Sequence, residues 1–224
     1  MRPDAPGARP PGGGWQRSWL LLGIGLLLMA IFMLLTSEML ESETAKLDAA
    51  GLQMAQQWRA SSPRVQIVMR DLSGLGSGIV LTLSTLATVG YLWVSAHGAR
   101  AVMVAVSMGT GELMVTALKH SIGRARPDPA LAAFVQDGLS FPSAHAGMSA
   151  IFFLTVGALL AQAQARRPLR AYVIGVAVLC TGLIGFSRVA LGVHWASDVV
   201  AGWLFGASWA ALWLYAARRL NVAR

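Results

Sequence analysis

The sequence predicts an all-α, polytopic membrane protein with six transmembrane helices. Three observations lead there. Only 12% of the 224 residues are charged and 55% are hydrophobic, where a soluble protein carries about 25% charge. The mean hydropathy is +0.58. The apolar residues gather into six runs nearly free of charge, at 18–37, 72–96, 101–118, 146–165, 171–187 and 199–217. A helix needs about 20 residues to cross the hydrocarbon layer, within roughly 17–25. None of the runs alternates with period two, and an open sheet cannot leave its edges in lipid, so they are helices and not barrel strands.

Residues 1–17 are rich in proline, glycine and arginine without apolar periodicity, which predicts a disordered tail. The first run follows basic residues, is about 20 residues long and precedes no small-x-small cleavage site, as an uncleaved signal anchor does. The polar segment 38–71 comes next. Leu47, Gly51, Met54 and Trp58 recur in it at helical spacing. They predict one amphipathic helix, lying either along the outer membrane surface or against the protein itself. The other five runs then follow, and 218–224 forms a second short tail. Trp15, Trp19, Trp93, Trp195 and Trp213 fall near the ends of runs, as an interfacial aromatic belt would. The single cysteine, Cys180, has no disulfide partner and reads as a small packing residue.

The net charge of +8 invites a nucleic-acid reading, but the basic residues sit between apolar runs. With the N-terminus inside, Arg2, Arg9, Arg17, Arg100, Arg166, Arg167, Arg170, Arg218, Arg219 and Arg224 all face the cytoplasm, with Asp4 as the one acid beside them. The positive-inside rule therefore places both termini in the cytoplasm and accounts for the charge without nucleic acid.

This topology brings three polar segments to the outer face. They are Lys119-His-Ser-Ile-Gly-Arg-Ala-Arg126-Pro127, Ser140-Phe-Pro-Ser143-Ala-His145, and Ser187-Arg188-Val-Ala-Leu-Gly-Val-His194-Trp-Ala-Ser-Asp198. Lys119, Arg126 and Arg188 are cations suited to phosphate, arginine through its planar fork and lysine as a point charge. Ser143 adds a hydroxyl beside the start of the fourth run, where a helix N-terminus attracts anions. His194 and Asp198 are four apart and share a helix face. The carboxylate can hold one ring N–H and leave the other nitrogen free to attack. His145 lacks such a carboxylate nearby in sequence and suits proton donation to a leaving oxygen.

The three segments resemble the type 2 phosphatidic acid phosphatase family, whose site is shared with class A acid phosphatases and vanadium haloperoxidases. Its motifs are Lys-x6-Arg-Pro, Pro-Ser-Gly-His and Ser-Arg-x5-His-x3-Asp. Lys119, Arg126 and Pro127 match the first. Pro142, Ser143 and His145 match the second, with Ala144 where the family usually has glycine. Ser187, Arg188, His194 and Asp198 match the third. The segment from Arg70 to Ser77 and residues 192–209 also look like bacterial members, and the resemblance covers roughly residues 20–217. It implies a six-helix membrane domain in the bacterial inner membrane. It also implies attack by His194 on phosphorus, protonation of the leaving group by His145, and water cleavage of the phosphohistidine. Lys119, Arg126, Ser143 and Arg188 then bind the phosphate, with no metal or other cofactor.

The implied substrate is a lipid phosphate held by its tails in the bilayer: undecaprenyl diphosphate, phosphatidylglycerophosphate or phosphatidic acid. The motifs read only the phosphate and do not rank these. They also leave open a phosphotransferase using the same histidine, and a transporter or other non-enzymatic membrane protein. Oligomeric state is not readable. His97 and His120 read as surface residues, and Asp128 and Asp137 as solvated loop acids. Arg124 is either an outlying phosphate contact or a plain loop cation. Glu112 lies near mid-span, where charge is expensive. The favoured expectation there is a bond to a neighbouring helix, with a place below the substrate headgroup as the other reading.

Overall fold

The computed structural model describes residues 13–220, with side chains from Ser18 onward. Residues 1–12, the Trp15 side chain and residues 221–224 lie outside it, so most of the tail expected at the N-terminus, with its arginines, falls outside the described residues. The helices are α1 (Gly13–Leu40), α2 (Ala45–Ser61), α3 (Pro63–Gly74), α4 (Gly78–Val94), α5 (Gly98–Ile122), α6 (Ala144–Ala163), α7 (Arg167–Ala190) and α8 (Ala196–Arg219). A single 3-10 turn, Pro129–Leu131, lies between α5 and α6. Residues 13–17, expected in the tail, already belong to α1, and α8 runs two residues past the expected boundary at 217.

Among the described residues six segments are long and apolar enough to cross a membrane: Ser18–Leu40, Pro63–Val94, Gly98–Ile122, Ala144–Ala163, Arg167–Ala190 and Ala196–Arg219. The second differs most from expectation. It starts with α3 at Pro63, and a turn at Leu75–Ser77 separates α3 from α4. The 38–71 segment therefore holds one complete helix and most of another. Pro63 explains the division: it cannot continue α2, yet at the first position of α3 its missing N–H costs nothing. The amphipathic helix packs on the protein along a stripe other than the one its apolar spacing picked out. Asp48, Leu52 and Ala55 of α2 are buried, and α2 lies against α3, α7 and α8. Its Leu47, Met54 and Trp58 stay exposed.

Six alternating spans bring the C-terminal ends of α1, α5 and α7 and the N-terminal ends of α6 and α8 to one face. The opposite face gathers the N-terminal part of α1 and the end of α8, where the rings of Trp19 and Tyr215 lie 6.1 Å apart. Arg219 sits over Trp19 at 5.6 Å. At the centre α6 packs on both α7 and α8, and α8 also packs on α1. Gly202 permits the α6–α8 approach: a Cβ there would lie 2.7 Å from the carbonyl oxygen of Ser143. Without a hydrophobic drive between helices in lipid, such small-residue contacts set how closely backbones meet. Beneath the site-bearing face, Phe32 meets Phe141 at 6.2 Å and Phe205 at 5.8 Å, all three buried.

The aromatic belt is only partly of the expected kind. Trp19 and Trp93 are exposed. Trp195 instead donates its Nε1–H to the carbonyl of Ala125 at 3.0 Å, and Trp213 packs beside Met103 and Val104. Glu112 is exposed on α5 and makes no hydrogen bond to a neighbouring helix among the described residues, which corrects the favoured reading of it.

Candidate active site

All seven residues picked out for phosphate chemistry meet at the same end of the bundle. Lys119 lies in the last turn of α5 and donates to the carbonyls of Leu139 at 2.7 Å and Ser140 at 3.2 Å. Ser143 caps α6: its Oγ accepts from the amide of Ala146 at 3.5 Å, and its own amide donates to the carbonyl of Asp198 at 3.0 Å. The next amides, of Ala144 and His145, open the helix and have no intrahelical acceptor. His145 lies within electrostatic reach of Arg188, His194, Arg126 and Lys119. The corner between α3 and α4 closes over it, because a Cβ at Gly76 would stand 3.5 Å from His145 Cδ2 and collide with Ile184.

Arg188 is 2% exposed near the end of α7. Its Nη1 donates to Ser73 at 2.6 Å and its Nη2 to Gln136 at 2.8 Å, and the guanidinium stands 5.8 Å from the centre of the Phe134 ring. Its Nε–H is buried and has no partner among the described residues. Leaving such a donor unsatisfied is costly, and an oxyanion would satisfy it.

His194, 3% exposed, sits in the turn before α8. Arg126 Nη1 lies 2.9 Å from its Nε2 and also donates to the carbonyl of Val193 at 2.8 Å. Arginine offers donors only, so Nε2 is the acceptor and the ring proton is on Nδ1. That nitrogen faces Asp198 Oδ2 at 3.3 Å and Ser140 Oγ at 3.4 Å. Burial holds the His194 pKa down to about 4, with the hydrogen bond and charge of Asp198 pulling it up. Burial also lowers the pKa of Arg126, against the pull of Asp198 and Asp137.

Asp198 is fully buried. Its Oδ2 accepts from Ser140 Oγ, and from the amide of Trp195 at 3.0 Å. Its Oδ1 accepts from Arg124 at 2.6 Å. Arg124 is thus not a plain loop cation: it pairs with Asp198 and, through Nη2, with Asp48 of α2 at 2.7 Å. Asp48 and Gln136 join the site without having been singled out in the sequence, and Ser73 and Ser140 join it from segments named there without a role.

The arrangement presents one neutral imidazole with a defined lone pair, a buried carboxylate behind it, a second histidine, three cations and a helix N-terminus. Such a set can bind a phosphoryl group and attack it.

Comparison with known proteins finds a family model, curated relatives and solved structures similar to this chain. The PAP2 superfamily profile matches residues 100–221. A lipid A 1-phosphatase of Rhizobium johnstonii is 33% identical over 125 residues, covering 52% of this chain and 46% of that protein. The match thus spans under half the length of that relative. Phosphatidylglycerophosphatase B of Bacillus subtilis is 30% identical over 149 residues, covering 64% of this chain and 71% of that protein. Among solved structures, the transmembrane PAP2-type phosphatidylglycerolphosphate phosphatase of Bacillus subtilis superposes with a TM-score of 0.79 at 24% identity, over 88% of this chain and 96% of that one. Aquifex aeolicus LpxE gives a TM-score of 0.54 at 21% identity, over 75% and 94% of the two chains. These two likenesses show a shared fold.

Proposed function

The chain belongs to the PAP2 superfamily, and on that premise we propose that it is a membrane-embedded lipid phosphate phosphatase working through a phosphohistidine on His194. The observation that carries the reading is the tautomer of His194: Nε2 holds a lone pair at the site and Nδ1–H is held by Asp198. In the resting enzyme Arg126 donates to that lone pair. An incoming phosphate takes over the arginine N–H, which frees Nε2 and draws phosphorus towards it. Nε2 then attacks in line, the N–P bond forms as the P–O bond to the lipid breaks, and protonated His145 gives its proton to the departing oxygen. Neutral His145 next takes a proton from water, the water oxygen bonds to phosphorus, the N–P bond breaks and inorganic phosphate leaves. Lys119, Arg126, Arg188 and the first amides of α6 carry the charge that builds on the equatorial oxygens. The mechanism calls for no metal ion, because these groups supply the positive charge.

The substrate class follows from the setting. A site at the end of six lipid-embedded helices suits a phosphate whose apolar tails stay in the bilayer. Phosphatidylglycerophosphate, undecaprenyl diphosphate, phosphatidic acid and a lipid A 1-phosphate all have this form. The site faces outward from the bacterial inner membrane. Support for that comes from Arg100, Arg166, Arg167, Arg170, Arg218 and Arg219, which all sit at the opposite face. Phosphate release by the purified protein across a panel of these lipids tests the reading. Release from at least one lipid, abolished by His194→Ala, is expected. Transfer of the phosphoryl group to a second lipid without phosphate release would make the protein a transferase instead.

A further inference from the structure

We infer that the outer helix α2 belongs to the catalytic machinery: Asp48, acting through Arg124, sets the carboxylate of Asp198 against His194, and both are positioning residues for the reaction. The inference rests on the reading of His194 as nucleophile.

Asp48 is a deeply buried acid on an otherwise half-exposed helix, 2% exposed. Its Oδ1 accepts from the amide of Ser197 at 2.9 Å. Its Oδ2 accepts from Ser197 Oγ at 2.7 Å, Arg124 Nη2 at 2.7 Å and Thr44 Oγ1 at 3.1 Å. Asp48 therefore grips the first turn of α8 one residue before Asp198. Arg124 joins the two carboxylates: Nη1 donates to Asp198 Oδ1 at 2.6 Å and to Ser197 Oγ at 2.7 Å. Its fork is further set by the Trp195 ring, 5.6 Å away. Three donors hold Asp198 Oδ2, and the bond from Arg124 holds its other oxygen, so the carboxylate is fixed at both ends.

Charge gives a second reason. Asp198 paired with Arg124 alone is neutral and offers little to a histidine that becomes cationic when phosphorylated. Adding Asp48 makes the Asp48–Arg124–Asp198 group net negative, in a buried setting where that charge acts strongly. Asp48 thus restores to Asp198 the negative potential that Arg124 takes away. A helix serving only as cover over the site would need neither the second carboxylate nor the bridge. Arg59 already fastens α2 to the protein through the carbonyls of Ala190 and Leu131.

The test compares Asp48→Asn, Asp198→Asn and the double variant in the full-length protein, with thermal midpoints recorded for each. The amide introduced by Asp48→Asn keeps the shape and one acceptor oxygen and removes the charge. This change is expected to lower kcat on the order of 10-fold, within the range of coupled neighbours, with little change in KM. In the Asp198→Asn background the same change should cost less than about 2-fold, because its effect passes through Asp198. Asp48→Glu should recover part of the rate. A full additional loss in the double variant, or a loss of thermal midpoint with kcat per folded molecule unchanged, would overturn the inference and assign Asp48 a structural role. Wild-type kcat in Asp48→Asn alongside an inactive His194→Ala would also overturn it while leaving the function standing. Activity in His194→Ala would remove the function reading itself.

Discussion

Arg126 and His194 are in contact through the nitrogen that the mechanism needs: the guanidinium Nη1 lies 2.9 Å from Nε2. On the proposed mechanism the cation stands where phosphorus would approach, and substrate would have to draw it away before attack. This contact also assigns the tautomer. The proposal thus gives Arg126 two duties, guarding Nε2 at rest and holding a phosphate oxygen in the transition state.

Arg126→Lys keeps the charge but loses the fork that reaches the Val193 carbonyl and His194 together. The expected loss in kcat/KM is roughly 10²–10³-fold, the size found when one transition-state donor is removed. Arg126→Ala should lose more. Steady-state kinetics on a lipid phosphate in detergent measure both. Lysine performing as well as arginine would show that charge alone suffices.

The pH dependence follows from His194. Its folded pKa of about 4 lies below the ordinary value of about 6.5, so at neutral pH the ring is already uncharged, as the proposed nucleophile must be. An acid limb in kcat/KM above about pH 5 therefore belongs to another group. Stability follows the same sign. The neutral ring's contribution is complete above pH about 6.5, where the unfolded histidine is also neutral, and is lost as pH falls through about 4. Thermal midpoints should fall more steeply between pH 6.5 and 4 for the wild type than for His194→Gln. In Asp198→Asn, which removes the group that raises this pKa, any limb belonging to His194 should move lower. Its rate should drop by up to roughly 10⁴, as when the orienting aspartate of a Ser-His-Asp triad is lost.

His145 should show itself through the leaving group. His145→Ala removes a proton donor, a change worth roughly 10²–10⁴-fold with a poor leaving group. The first step with an aryl phosphate, read as the burst of phenolate before the intermediate is hydrolysed, should run far closer to the wild-type rate than the first step with a lipid monoester. Equal losses on both substrates would take the acid role away from His145.

Much of this site was legible in the sequence because its motifs are local. His194 and Asp198 are one turn apart, Ser143 and His145 flank a helix start, and Lys119 to Arg126 straddles a helix end. Hydropathy alone put all three segments on one face. The supporting residues were hidden because only tertiary approach makes them partners. Asp48 looks like an ordinary acid on an amphipathic helix, and reaching Ser197 takes it across 149 residues. One signal was available: Asp48, Leu52 and Ala55 share a helix stripe, and the last two are apolar, so the acid lies on the buried side. Pro63 likewise marked the end of α2, although the spacing from Leu47 to Trp58 suggested one uninterrupted helix. Ser73 lies in the Arg70 to Ser77 segment that resembles bacterial members, but Gln136 gave no signal, and only the packing of α3 and of the 129–143 loop brings the two to Arg188.

The central claim is that a phosphoryl group rests on His194 during turnover. Lipid labelled in its phosphate, mixed with enzyme and quenched in alkali to preserve phosphohistidine, tests it directly when the labelled peptide is identified by mass spectrometry. The account predicts label on the peptide containing His194 in the wild type. In His145→Ala presented with an aryl phosphate, the label should accumulate, because cleavage of the intermediate has lost its base. His194→Ala should carry none. Label retained by His194→Ala, or found on another residue of a fully active enzyme, would contradict the account.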